Sequence, residues 1–223
     1  MSGPIKRIEQ TPESYAPKTK PEIITLAEKA LTLNVSGEKI PFLFKKEIIH
    51  LSKALLVGKS VTYPKAKQGV PEEDGGNPPL NLLWQKCGKD GAFDYLERQT
   101  ESIYLEAHLG MYYNLSNNDG NFSYIVGVLM KEGAPVPEGF ASHEIPDSDV
   151  AVCWYRYKDE DDIWAVAHGT VEKYMAEQGY AGLPQGQGWC SELYPFGDGD
   201  YKAETGYNLL GYLIAGQKKE DGK

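Results

Sequence analysis

Short stretches of apolar residues, several alternating with polar ones, run through the chain and predict β-strands. Alternation of this kind is typical of a strand with one buried face. The stretches lie around residues 31–35, at 104–113 and at 122–130, and then around 150–154, at 188–196 and at 206–215. The Asp119-Gly120 pair favours a hairpin turn between the second and third of them. The pattern therefore predicts two sets of three strands.

Each set also contains a segment with helical spacing of its apolar residues. In the first set, Asn77-Pro78-Pro79 supplies an N-cap and a proline start for a helix over residues 80–96. In the second set, a helix over 163–178 carries an apolar stripe that begins at Trp164. Because Trp84 and Trp164 lead these stripes, we expect both side chains to pack in the core.

The order strand–helix–strand–strand thus occurs twice, and three anchor residues recur in the same order. The anchors of the first set are separated by 28 and 15 residues, and those of the second by 30 and 17. They are Trp84, Tyr112 and Gly127, then Trp164, Tyr194 and Gly211. The predicted fold class is α+β, with tandem strand–helix–strand–strand modules whose antiparallel sheets surround a central cleft about a pseudo-twofold axis. Grooves between repeated units are common ligand sites.

Polar segments set the predicted boundaries of this unit. We expect a helix over residues 41–58, followed by a long loop from Gly58 to Pro79 that is rich in Pro, Gly and charge. The predicted organisation is a flexible tail at 1–21, one domain at 22–215 and a second flexible tail at 216–223. Its two halves are 22–130, which includes an insertion at 41–78, and 131–215.

Net charge narrows the choice of partners. The chain has 32 acidic and 23 basic residues, so its formal charge is −9. Direct nucleic-acid binding is disfavoured, because it relies on Lys and Arg to neutralise phosphates. An acidic protein instead attracts cationic ligands. The fifteen Tyr and four Trp residues suit half-buried sheet faces and ligand pockets alike.

Cysteine and histidine spacing predicts neither a cofactor nor a metal. The chain has three Cys residues and no CxxC, and its four His residues show no HxH or HExxH spacing. It also has no phosphate-binding loop or GxGxxG motif. With no stretch of 18 apolar residues and no apolar leader, we expect a cytoplasmic protein without membrane contact.

Four motifs in order resemble the GyrI-like, or bacterial effector-binding, domain family. They are a Y-x-x-G-V strand from Tyr124, a turn at Val136–Phe140, the pair Ile145-Pro146 before a strand, and the E-x-Y pair Glu192 and Tyr194. The resemblance covers residues 100–215 by motif and 22–100 by element order alone. It implies a cleft that binds flat, hydrophobic, often cationic compounds, with Glu192 deep inside, in a stand-alone member that lacks a DNA-binding module.

The pattern of the strand that carries Glu192 does not decide where this side chain lies. Either face of the strand could be buried, and Glu192 could be an ordinary exposed residue. In the repeat, Glu192 corresponds to Gly110, so we expect a carboxylate in one half and open space in the other. The candidate cleft walls, for each of which core packing is the alternative, are Tyr112, Tyr113, Phe140, Trp154, Tyr155, Trp189 and Tyr194.

Three functions are compatible with this cleft. The first is capture of small hydrophobic or cationic aromatic compounds, for sequestration or sensing. The second is a hydrolase, because one stand-alone branch of the family resembles enzymes that open the cyclopropane of duocarmycin- and yatakemycin-type DNA alkylators. There Glu192 would activate water and Tyr155 would polarise a carbonyl group. The third is an interaction adaptor with a filled cleft.

Overall fold

A computed structural model of the protein describes residues 6–7, 42–114, 119–159, 163–184 and 186–219. The strands are β1 Lys6–Arg7, β2 Phe42–Leu51, β3 Ala54–Pro64, β4 Ile103–Tyr113, β5 Asn121–Lys131, β6 Ala141–Ile145, β7 Ser148–Tyr157, β8 Tyr180–Gly182, β9 Cys190–Pro195 and β10 Asn208–Lys218. The helices of these residues are α1 Asn81–Lys89, α2 Ala92–Glu97, α3 Trp164–Glu177 and α4 Asp198–Thr205. The predicted α+β class is confirmed.

The strands form one sheet in which the two predicted modules are joined side by side. The strand order is β1-β2-β7-β10-β9-β4-β5-β3-β6, and β8 pairs with β10. All pairs are antiparallel except β1 with β2. The first half consists of β3, α1 with α2, β4 and β5, and the second of β7, α3, β9 and β10. Each half therefore has the predicted order strand–helix–strand–strand, and the β4–β9 pair is the seam between them.

The strand that precedes each half pairs with the opposite half. β2 is connected to β3 by two residues but pairs with β7, whereas β6 is connected to β7 and pairs with β3. This reciprocal exchange is what a pseudo-twofold axis at the seam requires. It also ties the two halves together by backbone hydrogen bonds well away from the seam.

The helix predicted over residues 41–58 is wrong, because this segment forms β2 and the start of β3. Over so short a segment the apolar residues fit the spacing of a helix and the alternation of a strand equally well. Pairing with β7 and β5 is what makes the segment a strand. The segment 41–78 thus contributes two strands of the sheet instead of an insertion, and the loop predicted from Gly58 starts only after Pro64. The strand predicted around 31–35 lies outside the described residues.

Three further elements differ from the sequence expectation. The helix predicted over 80–96 is divided into α1 and α2 at Gly91, whose φ of 69° is left-handed and interrupts a helix. The turn predicted between β9 and β10 contains α4. β10 continues to Lys218, three residues past the predicted end of the domain, because its last residues pair with β8.

Both faces of the sheet are covered. We call the face under α1, α2 and α3 the helix face, which carries Tyr124, Tyr155 and Tyr212, and the opposite one the inner face, which carries Leu109, Trp154 and Leu193. On the inner face, the rings of Tyr113 on β4 and His143 on β6 stack 4.0 Å apart although two strands separate them in the sheet. The sheet therefore curls towards the inner face. Among the described residues no helix has the length and apolarity needed to cross a membrane.

Candidate functional site

Glu192 lies at the seam of the sheet, on its helix face. The side chains of Cys190, Glu192 and Tyr194 point to this face because alternate residues of a strand share a face. Directly across the ladders, Glu192 is paired with Gly110 of β4 on one side and with Tyr212 of β10 on the other. The carboxylate consequently lies midway between the two halves.

A cleft of about 870 Å³ opens over Glu192. It is bordered by α1, α2, α3 and the first residues of α4, and its volume lies in the range of small-molecule sites. The aromatic residues that line it are Trp84, Phe93, Tyr112, Tyr124, Trp164, Tyr194 and Tyr212, together with His108 and His168. Its carboxylates are Glu192 and Asp198, and no Lys or Arg is found among the described residues that line it. The cleft is therefore aromatic and anionic.

Two tyrosine hydroxyl groups lie beside the Glu192 carboxylate. The hydroxyl of Tyr194 donates to Oε2 of Glu192 at 3.2 Å, and the hydroxyl of Tyr124 also favours the charged form of the carboxylate. Tyr124 in turn accepts a hydrogen bond of 2.8 Å from Nε1 of Trp84, which leaves the tyrosine proton to donate to Glu192. Burial raises the pKa of Glu192 from 4.5 to about 7, an effect that outweighs these two donors.

The tyrosines around Glu192 stay protonated at neutral pH. Burial raises the pKa of Tyr112, Tyr124, Tyr194 and Tyr212, and the nearby Glu192 charge raises each further. Tyr212 also lies 3.2 Å from Nδ1 of His168. These hydroxyls are therefore hydrogen-bond donors instead of anionic ligands.

Cys190 is the thiol of the cleft. It accepts a hydrogen bond from the Tyr212 hydroxyl at 3.7 Å, and burial raises its pKa to about 11. A thiol with this pKa is a poor nucleophile, because the thiolate is the reactive form. Across the described residues, no three His, Cys, Asp or Glu side chains are grouped so that they could hold a metal ion.

His108 occupies the place in the first half that Glu192 occupies in the second. Leu109 pairs with Gly127 just as Leu193 pairs with Gly211, so the residues one position earlier, His108 and Glu192, are equivalent. The predicted equivalence of Glu192 with Gly110 is therefore wrong by two residues, and Gly110 is instead its neighbour across the seam.

The space beside Gly110 is also filled, contrary to the expected opening. A Cβ atom at this position would contact the Tyr124 hydroxyl and would lie 2.6 Å from Cζ2 of Trp84. The absence of a side chain at Gly110 is thus what leaves room for Tyr124 and Trp84 beside Glu192's neighbour across the seam.

The His108 ring is held among aromatic groups at the side of the cleft. Its Nε2 lies 2.8 Å from Oε1 of Glu97, and its ring lies 4.1 Å from Phe93 and 4.9 Å from Phe196 between centroids. Burial lowers the pKa of His108, although Glu97 opposes the effect. At neutral pH the two equivalent positions therefore differ: one holds an acid and the other an uncharged imidazole.

The structure places three of the eight predicted site residues in the cleft, namely Glu192, Tyr112 and Tyr194. Tyr155 lies outside the cleft: it is buried under α3, where its hydroxyl donates to the Ala167 carbonyl oxygen at 3.4 Å. Phe140 lies outside the cleft, with the Lys59 ammonium group 4.0 Å from its ring centroid.

The other three predicted wall residues lie on the inner face. Trp154 and Trp189 are buried in its core, and Nε1 of Trp154 donates to Oε1 of Glu47 at 3.3 Å. Tyr113 packs against the same core. The physical reason is strand alternation, which puts Tyr113 on the face opposite to Tyr112.

Several residues of the cleft were missed by the sequence analysis. Trp84 and Trp164, expected in the core, line the cleft, and half of the Trp164 surface is exposed. Tyr124 and Tyr212 could have been found, because hairpin pairing places them on the same face as Tyr112 and Glu192. Asp198 and His168 carried no sequence signal, since helices bring them to the cleft.

Comparisons with known proteins show the fold. No protein-family model matches the chain, and no curated protein matches it either. The structure of SAV2435 bound to tetraphenylphosphonium is 17% identical, with a TM-score of 0.55 over 78% of this chain and 94% of that one. A protein from Staphylococcus aureus MU50 with a proposed role in bacterial transcription regulation is 18% identical, with a TM-score of 0.53 over 78% of this chain and 99% of that one.

A larger protein contains the same fold. EcmrR, in its complex with DNA, is 10% identical with a TM-score of 0.50, and the match covers 88% of this chain and 65% of EcmrR. The chain thus has the fold of SAV2435 and of the Staphylococcus aureus protein. The fold expected from the GyrI-like resemblance is confirmed.

Proposed function

We propose that the cleft binds flat, hydrophobic organic cations, with the Glu192 carboxylate as their counter-charge. The observation that carries this proposal is a half-buried carboxylate, hydrogen-bonded to the Tyr194 hydroxyl, in an aromatic cleft whose described lining contains no Lys or Arg. Attraction to a carboxylate and to aromatic faces adds up when water is excluded. The net charge of −9 further raises the local concentration of cations.

The fold comparison indicates which ligand to test first. SAV2435 was solved with tetraphenylphosphonium, a hydrophobic aromatic cation, and it shares the fold of this chain. We infer that this chain takes ligands of the same class, and that it serves to sequester or to sense them.

Calorimetric titration with tetraphenylphosphonium tests the proposal. In the variant Glu192→Gln the side chain keeps its size and hydrogen-bonding capacity but cannot be charged, so affinity should fall about ten- to a hundredfold. Triphenylphosphine oxide, a neutral compound of similar shape, should be affected much less. Glu138→Gln, an exposed change in the turn before β6, is the control for loss of one negative charge. Equal affinities of the cation for all three proteins would contradict the proposal.

The hydrolase alternative has less support. It assigns the role of polarising a carbonyl group to the Tyr155 hydroxyl. This hydroxyl instead donates a hydrogen bond to the Ala167 carbonyl oxygen under α3. We therefore expect a cyclopropane-bearing alkylator to be recovered chemically unchanged after incubation with the protein. Mass spectrometry would reveal a gain of one water molecule if the cleft is hydrolytic.

A further inference from the structure

We propose that Asp198 forms a second anionic subsite in the cleft and that the protein consequently prefers dications, with one charge near Glu192 and the other near Asp198. This inference rests on the proposed function, because it concerns the same cleft and the same class of ligand. It adds a requirement on the ligand that Glu192 alone does not impose.

Asp198 reaches the cleft from a different element. It is the first residue of α4 and follows Gly197, whose φ of 82° turns the chain after β9. Glu192 and Pro195, the last residue of β9, are roughly 10 Å apart along the strand. Asp198 comes after that end, and it lines the same cleft as Glu192. The two carboxylates are therefore separate points of attraction along one cavity.

The Asp198 carboxylate is not paired directly with the lysine of its own helix. Its Oδ1 accepts a hydrogen bond of 3.1 Å from the Leu209 backbone amide, which fixes its orientation. Lys202 lies one turn further along α4, but its ammonium group is 2.7 and 2.9 Å from the two carboxylate oxygens of Asp159. Burial raises the pKa of Asp198, while the Leu209 amide and the more distant Lys202 lower it. A cationic group of a ligand would restore the interactions that this carboxylate loses on burial.

Both carboxylates act on the electrostatics of one tyrosine, Tyr157. On the Glu192 side, the Tyr194 hydroxyl donates to Oε2 of Glu192 at 3.2 Å. Burial raises the pKa of Tyr157 to about 12, and the charges of Asp198 and Glu192 both raise it. Because both carboxylates line one cleft of about 870 Å³, a single ligand of drug size can contact both.

Two dyes with the same aromatic ring system test the inference. Ethidium is a phenanthridinium monocation, and propidium is the same ring with a quaternary ammonium group on a propyl arm. Both are titrated into nucleic-acid-free protein at about 0.15 M salt, where long-range attraction is screened. The wild type should bind propidium about tenfold more tightly than ethidium, the gain from one additional charge contact.

Three variants separate the two subsites. Asp198→Asn keeps the acceptor for the Leu209 amide and should abolish the preference for propidium. Its affinity for ethidium should stay within about twofold of the wild-type value. Glu192→Gln should weaken both dyes. Asp200→Asn, an exposed position of the same helix, removes an equal charge outside the cleft lining and should change neither.

Each result has a distinct meaning. If Asp198→Asn weakens the binding of both dyes equally, or of neither dye, the second subsite is refuted while the Glu192 site stands. If the wild type binds neither dye, the proposed function fails for this ligand class and the second subsite fails with it. A loss of propidium affinity in Asp200→Asn as large as in Asp198→Asn would show that only the overall charge matters, and would also overturn the inference.

Discussion

The Tyr194 hydroxyl donates a hydrogen bond of 3.2 Å to Oε2 of Glu192, and the two residues are two positions apart on one face of β9. The E-x-Y spacing alone produces this contact, because alternate residues of a strand share a face. The hydrogen bond favours the charged carboxylate, but burial has the larger effect on its pKa. The result is an acid that changes its charge near neutral pH in the centre of the cleft.

Cation affinity should therefore depend on pH. With the pKa of Glu192 raised to about 7, the free cleft holds a neutral acid below that pH, and a bound cation must displace its proton. The affinity for tetraphenylphosphonium should be constant well above pH 7 and fall by up to about tenfold per unit below it, towards the affinity of Glu192→Gln. Calorimetry between about pH 5.5 and 8.5 measures this. Glu192→Gln should give a flat profile, and a flat profile for the wild type would contradict the prediction.

The same group should make the folded protein less stable at higher pH. Its pKa is higher in the folded state than the ordinary value of 4.5, so its stabilising contribution is complete below pH 4.5 and is lost as the pH rises through about 7. Glu192→Gln lacks this loss. Relative to the wild type, its free energy of unfolding should increase between about pH 4.5 and 8 by at most roughly 3 kcal/mol. Urea unfolding at both pH values checks this, and an unchanged difference would refute it.

The Tyr124 hydroxyl should tune the pKa of Glu192. Tyr124→Phe removes a hydroxyl group that favours the charged carboxylate, so the pKa of Glu192 should increase by about half a unit to one unit. The carboxyl ¹³C shift of Glu192 followed against pH measures it directly. Tyr112→Phe is the matched control, since its ring lies beside that of Tyr124 with centroids 4.7 Å apart. Equal shifts in both variants would show that the Tyr124 hydroxyl has no specific effect on Glu192 and would contradict the prediction.

Gly110→Ala should destabilise the protein and disturb the site. The new methyl group would overlap the Tyr124 hydroxyl and lie 2.6 Å from Cζ2 of Trp84, so both side chains must shift. Overpacking of this kind costs about 1–3 kcal/mol. Gly169→Ala on α3, with no atom within 4 Å of the new Cβ, should instead be neutral or slightly stabilising. Thermal denaturation compares the two, and similar melting temperatures would contradict the tight contact at Gly110.

Local sequence determined the order of most elements in the described residues. The hairpin strands β4 and β5, and likewise β9 and β10, follow from patterns within about ten residues, as does helix α3. The repeated order and the E-x-Y spacing then fixed the α+β class and the pairing of Glu192 with Tyr194. These features depend on local backbone geometry, which a short window of sequence contains.

Only the tertiary structure decided which face of each strand meets the cleft. Trp154 and Tyr155 are adjacent and equally aromatic, yet one is in the inner core and the other lies under α3. Residues 42–51 and 54–58 form strands because they pair with β7 and β5, which are distant in sequence. Asp198 and Trp164 reach the cleft on helices. Packing between residues far apart in the chain sets all of these positions, and a pattern read along the chain carries no information about such partners.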